Sequence, residues 1–232
     1  MGKVIMSGIV PLLTVPGYPE NFADATWAEI IEACQKKRVP DTWAVGSQKT
    51  MAINGTDYAI DIIGKNHDTY SDGSGAAPLT FQLHDCYGAG KYTMNSKDSN
   101  SGGWAKTVMR STHLPAILAL MPSEAQSAIR EVDKLTCADS ASTTVSTTAD
   151  KLFLLSEIEI LGSHTLTYGD EGTQYDYYKA GNPAWKKISG SYDEWWMRTL
   201  YSSKYFCIVN ASGAAKTDYS SNTNGVSFAF CF

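Results

Sequence analysis

Residues 225–232 read Gly225-Val226-Ser227-Phe228-Ala229-Phe230-Cys231-Phe232, with a large apolar side chain at every second place from Val226 onward. A period of two is the pattern of a β-strand that buries one face. Upstream stands a second bulky block, Tyr192-Asp193-Glu194-Trp195-Trp196-Met197-Arg198. Between the two blocks, from Thr199 to Asn224, the chain is mostly Ser, Thr, Asn, Tyr, Ala and Gly. Tyrosine offers broad contact area with few rotors, while Ser, Asn and Gly adapt to what they meet, so this is the composition of a recognition surface. An ordinary surface loop uses the same small polar residues, and composition leaves both readings open.

The chain has 232 residues, long enough to bury a sizeable core, and its 43% hydrophobic and 19% charged content is that of a soluble globular protein. A net charge of −5 with no basic run argues against nucleic acid as a partner. No apolar run approaches the length that spans a bilayer, so membrane insertion is not expected. Met1 to Leu13 lacks a small-residue cleavage site, and no signal peptide is expected. Cys34, Cys86, Cys137, Cys207 and Cys231 are odd in number, scattered, and without a C-x-x-C pair. They read as reduced and mostly buried, the alternative being a bridge between Cys207 and Cys231 on neighbouring strands.

Pro11, Pro16 and Pro19 favour an extended arm over residues 1–20. Thr26-Trp27-Ala28-Glu29 is a capping box, and Trp27, Ile30, Ile31 and Cys34 follow at helical spacing, ending near Lys37. Asn54-Gly55 between two β-rich runs is a hairpin signal. Leu79 to Leu83 reads as a strand, 88–103 as a long exposed loop, and Trp104 to Arg110 as a helix with further turns around Pro115 and Pro122. Ile129 to Thr136 is a poorly patterned strand, Cys137 to Asp150 a Ser/Thr/Ala loop or flap, and Lys151 to Leu155 a buried strand. Ser156 to Glu159 is a second capping box, and 162–190 is irregular and aromatic-rich. With no repeat and no linker composition, residues 21–232 are expected to form one α+β domain.

Candidates for chemistry are few. His67-Asp68 and His84-Asp85 are metal-ligand or acid–base residue types, yet neighbours on a strand point to opposite faces and no third cluster has ligand spacing. Asp170, Glu171 and Asp176 share a loop without EF-hand spacing. Nucleophile elbow, phosphate loop and dinucleotide fingerprint are all missing. No catalytic residue, metal or cofactor is expected.

Trp195-Trp196-Met197-Arg198, then Phe206-Cys207-x-Val209, Gly213 and Gly225-Val226-x-Phe228-x-Phe230-Cys231 resemble the variable proteins of diversity-generating retroelements, as carried by gut phages and prophages. The Asn54-Gly55 hairpin, the Ile62–Asp68 run, the Trp104 helix and Asp150-Lys151-x-Phe153-Leu154-Leu155-Ser156-Glu157 fit the same group, so the resemblance covers about residues 40–232. It implies a C-type-lectin-like fold of the formylglycine-generating-enzyme type, with short helices around small antiparallel sheets and much irregular loop. In that family a reverse transcriptase mutates adenines, and an AAC codon randomised at its first two bases never yields Lys, Glu, Gln, Met or Trp. From Thr199 to Asn224 only Lys204 and Lys216 belong to that set, against nine residues in the equal span Thr173 to Arg198.

The resemblance implies a non-enzymatic binding protein on a phage tail or cell surface, engaging a protein or glycan receptor on a bacterial or other cell. Its ligand-binding residues would be Tyr201, Ser203, Tyr205, Ile208, Asn210, Ser212, Ala214, Asp218, Tyr219, Ser220, Asn222 and Thr223. Homo-oligomers would assemble through the N-terminal arm. The alternatives are an enzyme of the formylglycine-generating type, using thiols or a metal, and a structural virion protein without a ligand. The carbohydrate-binding tripeptides of calcium-dependent lectins are missing, since Gly181 precedes Asn182-Pro183.

Overall fold

Local signals start the elements. The computed structural model describes residues 17–88, 90–137 and 143–232. Thr26 and Glu29 cap each other reciprocally, the Glu29 amide donating to the Thr26 hydroxyl at 3.2 Å and the Thr26 amide to the Glu29 carboxylate at 2.7 Å, and they open helix α1 (Trp27–Gln35). Strands β1 (Gln48–Ile53) and β2 (Thr56–Lys65) pair antiparallel across Asn54-Gly55, whose φ angles of 49° and 74° are those of a type I′ turn. Strand β3 (Leu79–Leu83) pairs with β2, and a two-residue strand β4 (Tyr92–Thr93) follows.

The segment from Trp104 is helical but broken. It runs from a 3₁₀ turn (Trp104–Lys106) through a π-helical turn (Met109–His113) to α2 (Leu114–Leu118) and α3 (Ser123–Ala128). Strands β5 (Val132–Cys137) and β6 (Val145–Asp150) form a hairpin in continuous register from Val132↔Asp150 to Cys137↔Val145. The expected flap over Cys137–Asp150 is therefore half strand: β-branched Val145, Thr147 and Thr148 suit a pleated surface, although their polarity reads as loop. Conversely, Lys151–Leu155 makes a single bridge, Phe153 to Ala229, and no strand of its own.

Beyond lie α4 (Glu157–Leu161), opened by the Ser156/Glu159 capping box, and α5 (Asp176–Lys179). The last strands are β7 (Lys186–Ile188), β8 (Ser191–Asp193), β9 (Trp195–Leu200), β10 (Tyr205–Val209), β11 (Ala215–Tyr219), β12 (Thr223–Asn224) and β13 (Ala229–Cys231). Among the described residues, the named strands pair antiparallel throughout. The C-terminal strand closes the sheet β1-β2-β3-β13, and a second sheet runs β11-β10-β9. The chain is thus a mixed α+β protein of small antiparallel sheets and short helices.

The expected one-sided burial of the C-terminal strand is corrected. Val226, Phe228, Phe230 and Phe232 enter one apolar cluster with Phe81 and Trp196, while Ala229 and Cys231 enter another with Phe153, Trp195 and Met197. All residues from Val226 to Phe232 are fully buried. Alternation of large with small reports two different cores on the two faces, not core against solvent. Strands β9 and β10 divide the same two clusters, sending Trp196, Phe206 and Ile208 one way and Trp195, Cys207 and Val209 the other. Gly225, just before this segment, has no room for a side chain: a Cβ there would stand 2.6 Å from Cys86 Sγ and 2.8 Å from Ile188 Cδ1.

Cys207 and Cys231 are both buried and are not bridged, and Cys34 and Cys86 are likewise buried free thiols. The expected N-terminal arm lies mostly on residues 1–16, outside the described residues; Tyr18 packs on Trp43, and the Trp43 indole donates to the Pro19 carbonyl at 2.9 Å. Because Phe230 is central to the first cluster, Phe230→Ala should lower unfolding free energy by about 3–5 kcal/mol, read from urea denaturation.

Candidate functional site: the tyrosine face of the C-terminal hairpin

Strand β10 is a central strand with β9 on one side and β11 on the other; of these two edges β9 is wholly buried and β11 is partly exposed. Exposed positions therefore collect on β11 and at the turns at either end of β10. At one end, Tyr205 faces Tyr219 in register, with ring centroids 4.2 Å apart, and Tyr201 stands 6.4 Å from Tyr205, edge to face. Tyr201 and Tyr219 are 36% and 39% exposed, and Tyr205 between them is half-buried. A hydrogen bond with Tyr219, aided by desolvation and the nearby carboxylates Asp98 and Asp218, pushes the Tyr205 hydroxyl up to about 12, so Tyr205 stays a neutral donor near neutral pH.

Asp218 holds this end in shape. Its carboxylate accepts the Tyr219 amide at 2.9 Å and the side-chain amides of Asn222 at 2.7 Å and Asn224 at 2.8 Å. Ser203 and Thr223 are exposed beside it. At the opposite end, the Asn210 side chain accepts the amides of Ser212 at 2.9 Å and Ala214 at 3.0 Å, an Asx turn that leaves Ser212 and Ala214 exposed. The two ends are four residues apart along β10, about 13 Å at strand rise. Ten of the twelve expected positions thus split into a tyrosine group (Tyr201, Ser203, Tyr205, Asp218, Tyr219, Asn222, Thr223) and a turn group (Asn210, Ser212, Ala214).

Two expected positions leave the surface. Ile208 is wholly buried in the first cluster, on the same face of β10 as Phe206. Ser220 is also wholly buried; its hydroxyl donates to the Lys97 carbonyl at 3.1 Å and its carbonyl accepts the Asn95 amide at 2.8 Å. The period of two places Ile208 with Phe206, so the first correction was readable from the sequence. The second was not, because its partner lies far away in the chain.

That partner segment was missed. Residues 94–100, expected as exposed loop, wall the tyrosine end: Asn100 donates to the carbonyls of Ser203 (3.0 Å, from its amide) and Ser202 (2.9 Å, from its side chain), and Asp98 accepts the Ser221 amide at 3.1 Å. Buried Asn95 and Asn100 are its anchors, and two asparagines in a Gly/Ser-rich stretch were the available signal. At the turn end, exposed Trp185 and Tyr192 meet edge to face at 4.5 Å, with Trp185 against Gly213.

The other chemical candidates lie elsewhere. Asp68 is buried and His67 stacks on Tyr175 at 3.8 Å, whereas His84 Nδ1 binds Asp61 at 2.8 Å. Glu171 is buried and accepts the Cys137 amide at 2.7 Å, while Asp170 is exposed beside His164 at 3.0 Å. Among the described residues, no group of three or more His, Cys, Asp or Glu is arranged to hold a metal. Burial pushes the Cys207 and Cys231 thiols well above the ordinary value and those of Cys34 and Cys86 up to about 12.

Fold and surface together define an α+β protein whose buried sheet presents an exposed aromatic hairpin. Residues 80–232 match the family described as a domain of unknown function, DUF6273, and the chain belongs to that family. No curated protein and no solved structure matches the chain. The matched span begins within β3 and contains the whole hairpin and its wall at residues 94–100.

His84 carries a pH dependence. Its hydrogen bond to Asp61, stronger than the opposing effect of burial, raises its pKa above the ordinary value. A raised pKa contributes stability that is complete below the unfolded value of about 6.5 and is lost as pH rises through the folded value. The melting temperature of the parent relative to His84→Gln should therefore fall with rising pH across that window; a difference that grows with pH would contradict the pairing.

Proposed function

We propose that this chain is a ligand-binding protein that engages a protein or glycan receptor through the tyrosine face of its C-terminal hairpin. The observation that carries the reading is the contiguous set Tyr201, Tyr205 and Tyr219, exposed or half-exposed at one end of the β9–β11 sheet, beside the buried residues of β9 and β10. Clustered aromatics ringed by short polar groups are typical of binding hot spots, because the rings bury large area while little conformational entropy is lost. Buried thiols with raised pKa are poor nucleophiles, which favours binding over a thiol-based enzyme.

The finer reading is a variable protein of a diversity-generating retroelement with a C-type-lectin-like fold, displayed on a phage tail or cell surface. Its support is the scarcity of Lys, Glu, Gln, Met and Trp from Thr199 to Asn224, together with the C-terminal strand that closes a sheet with an early hairpin. Lys216 departs from the codon pattern, and its ammonium pairs with Glu194 at 2.7 Å, a role outside the tyrosine group. In this reading Ile208 and Ser220 belong to the scaffold, and Trp185 and Tyr192 border the turn group.

Alanine at Tyr201 or Tyr219 should weaken receptor binding by at least about tenfold, as for an aromatic hot spot. The same changes should move the melting temperature by less than about 4 °C, as for surface positions. Titration against receptor-bearing cells, paired with thermal melts, checks both. Unchanged binding for both variants would remove the tyrosine face from the site.

A further inference from the structure

A second group of reactive side chains lies away from the hairpin face, between β5 and α4. Lys134 points inward from β5 with its side chain only 2% exposed, and its Nζ is 2.7 Å from Asp68 Oδ1 and 2.7 Å from Glu159 Oε1. The Phe153 ring lies under the ammonium at 4.4 Å. The other oxygen of Asp68 accepts hydrogen bonds from the hydroxyls of Thr80 at 2.6 Å and Tyr175 at 2.8 Å. An amine, a carboxyl group polarised by two hydroxyl donors, and a second carboxylate in contact with the amine are thus held together out of bulk water.

We propose that Lys134 and Asp68 condense into an intramolecular amide, an isopeptide cross-link between β5 and the segment after β2, with Glu159 relaying the proton. Nζ forms a bond to Asp68 Cγ, and one Cγ–O bond breaks. Of the three ammonium protons, one stays on the amide nitrogen and two leave with the oxygen as water. Glu159 takes a proton from Nζ, passes it to the departing oxygen, and ends ionised as it began. The step needs no oxidant, reductant or cofactor.

Four features favour it. Fixed reactants side by side can react with effective molarities on the order of 10⁵–10⁸ M. A buried ion pair carries a desolvation penalty for both charges, and the amide cancels both. Arg198 binds Glu159 from the other side, so the relay carboxylate keeps a counter-charge after the Lys134 charge has gone. The water has an exit, since a cavity of about 340 Å³ borders Asp68, Lys134 and Glu159.

The test is the intact mass of the full chain under denaturing conditions, followed by a peptide map. The expected result is a mass one water below that of the sequence, with the peptides carrying Asp68 and Lys134 recovered as a linked pair. Lys134→Arg and Glu159→Gln should each return the full sequence mass. Cyclisation at Asp72-Gly73 would also remove one water, but it would leave the two peptides separate and persist in Lys134→Arg; that result overturns the proposal. So does a full sequence mass in the parent protein, which decides the matter even if a variant fails to fold.

Discussion

The guanidinium of Arg198 is fully buried, and the geometry of the C-terminal half depends on how its charge is met. Glu159 binds it through both oxygens, and its remaining donors reach the carbonyls of Leu135, Leu154 and Glu171 at 2.7–3.2 Å. Removing one partner from such a buried pair typically costs about 3–5 kcal/mol, because the other charge is left stranded. Burial alone would raise Glu159, but Arg198 and Lys134 overcome it and hold the carboxyl down to about 2. Glu171 moves the other way: burial raises it despite Arg198 and Thr199. One side chain of β9 therefore ties together β5, the 154–159 segment and the 171 loop. The next residue, Thr199, extends the network by accepting the Glu157 amide at 2.8 Å and bonding Glu171.

That anchorage explains why the hairpin beyond Thr199 can be composed so differently from its surroundings. Strands β9, β10 and β13 are gripped between two apolar clusters, and both faces of each are committed to packing. What remains free is the edge strand β11, the turns, and the tyrosines at one end of β10. The turns are held by their own side chains, Asp218 at one end and Asn210 at the other. Most exposed side chains there make few demands on the core, and substitutions at such positions usually perturb stability little.

Much of this was legible because the signals are local. A reciprocal Thr/Glu or Ser/Glu cap and an Asn-Gly turn each specify conformation within four residues, and all three appear where the sequence puts them. The clustering of Tyr201, Tyr205 and Tyr219 was legible for a related reason, since all three lie within twenty consecutive residues of the β9–β11 sheet. The second core was not, because its share of β13 is Ala229 and Cys231, too small to mark a buried face. The contact of Asp68 with Lys134 spans 66 residues and joins elements that no periodicity relates. Likewise Ser220 reads as a surface serine until the 94–100 segment is folded over it.

The exposed hairpin positions are separable from the buried frame. The direct measurement is the fraction of protease-resistant clones in a displayed library randomised together at Tyr201, Ser203, Ser212, Tyr219, Asn222 and Thr223. Separability predicts that more than about half of the clones stay folded, because surface changes are small and nearly additive at separated sites. A library in which nearly all clones are digested would show instead that these side chains belong to the core.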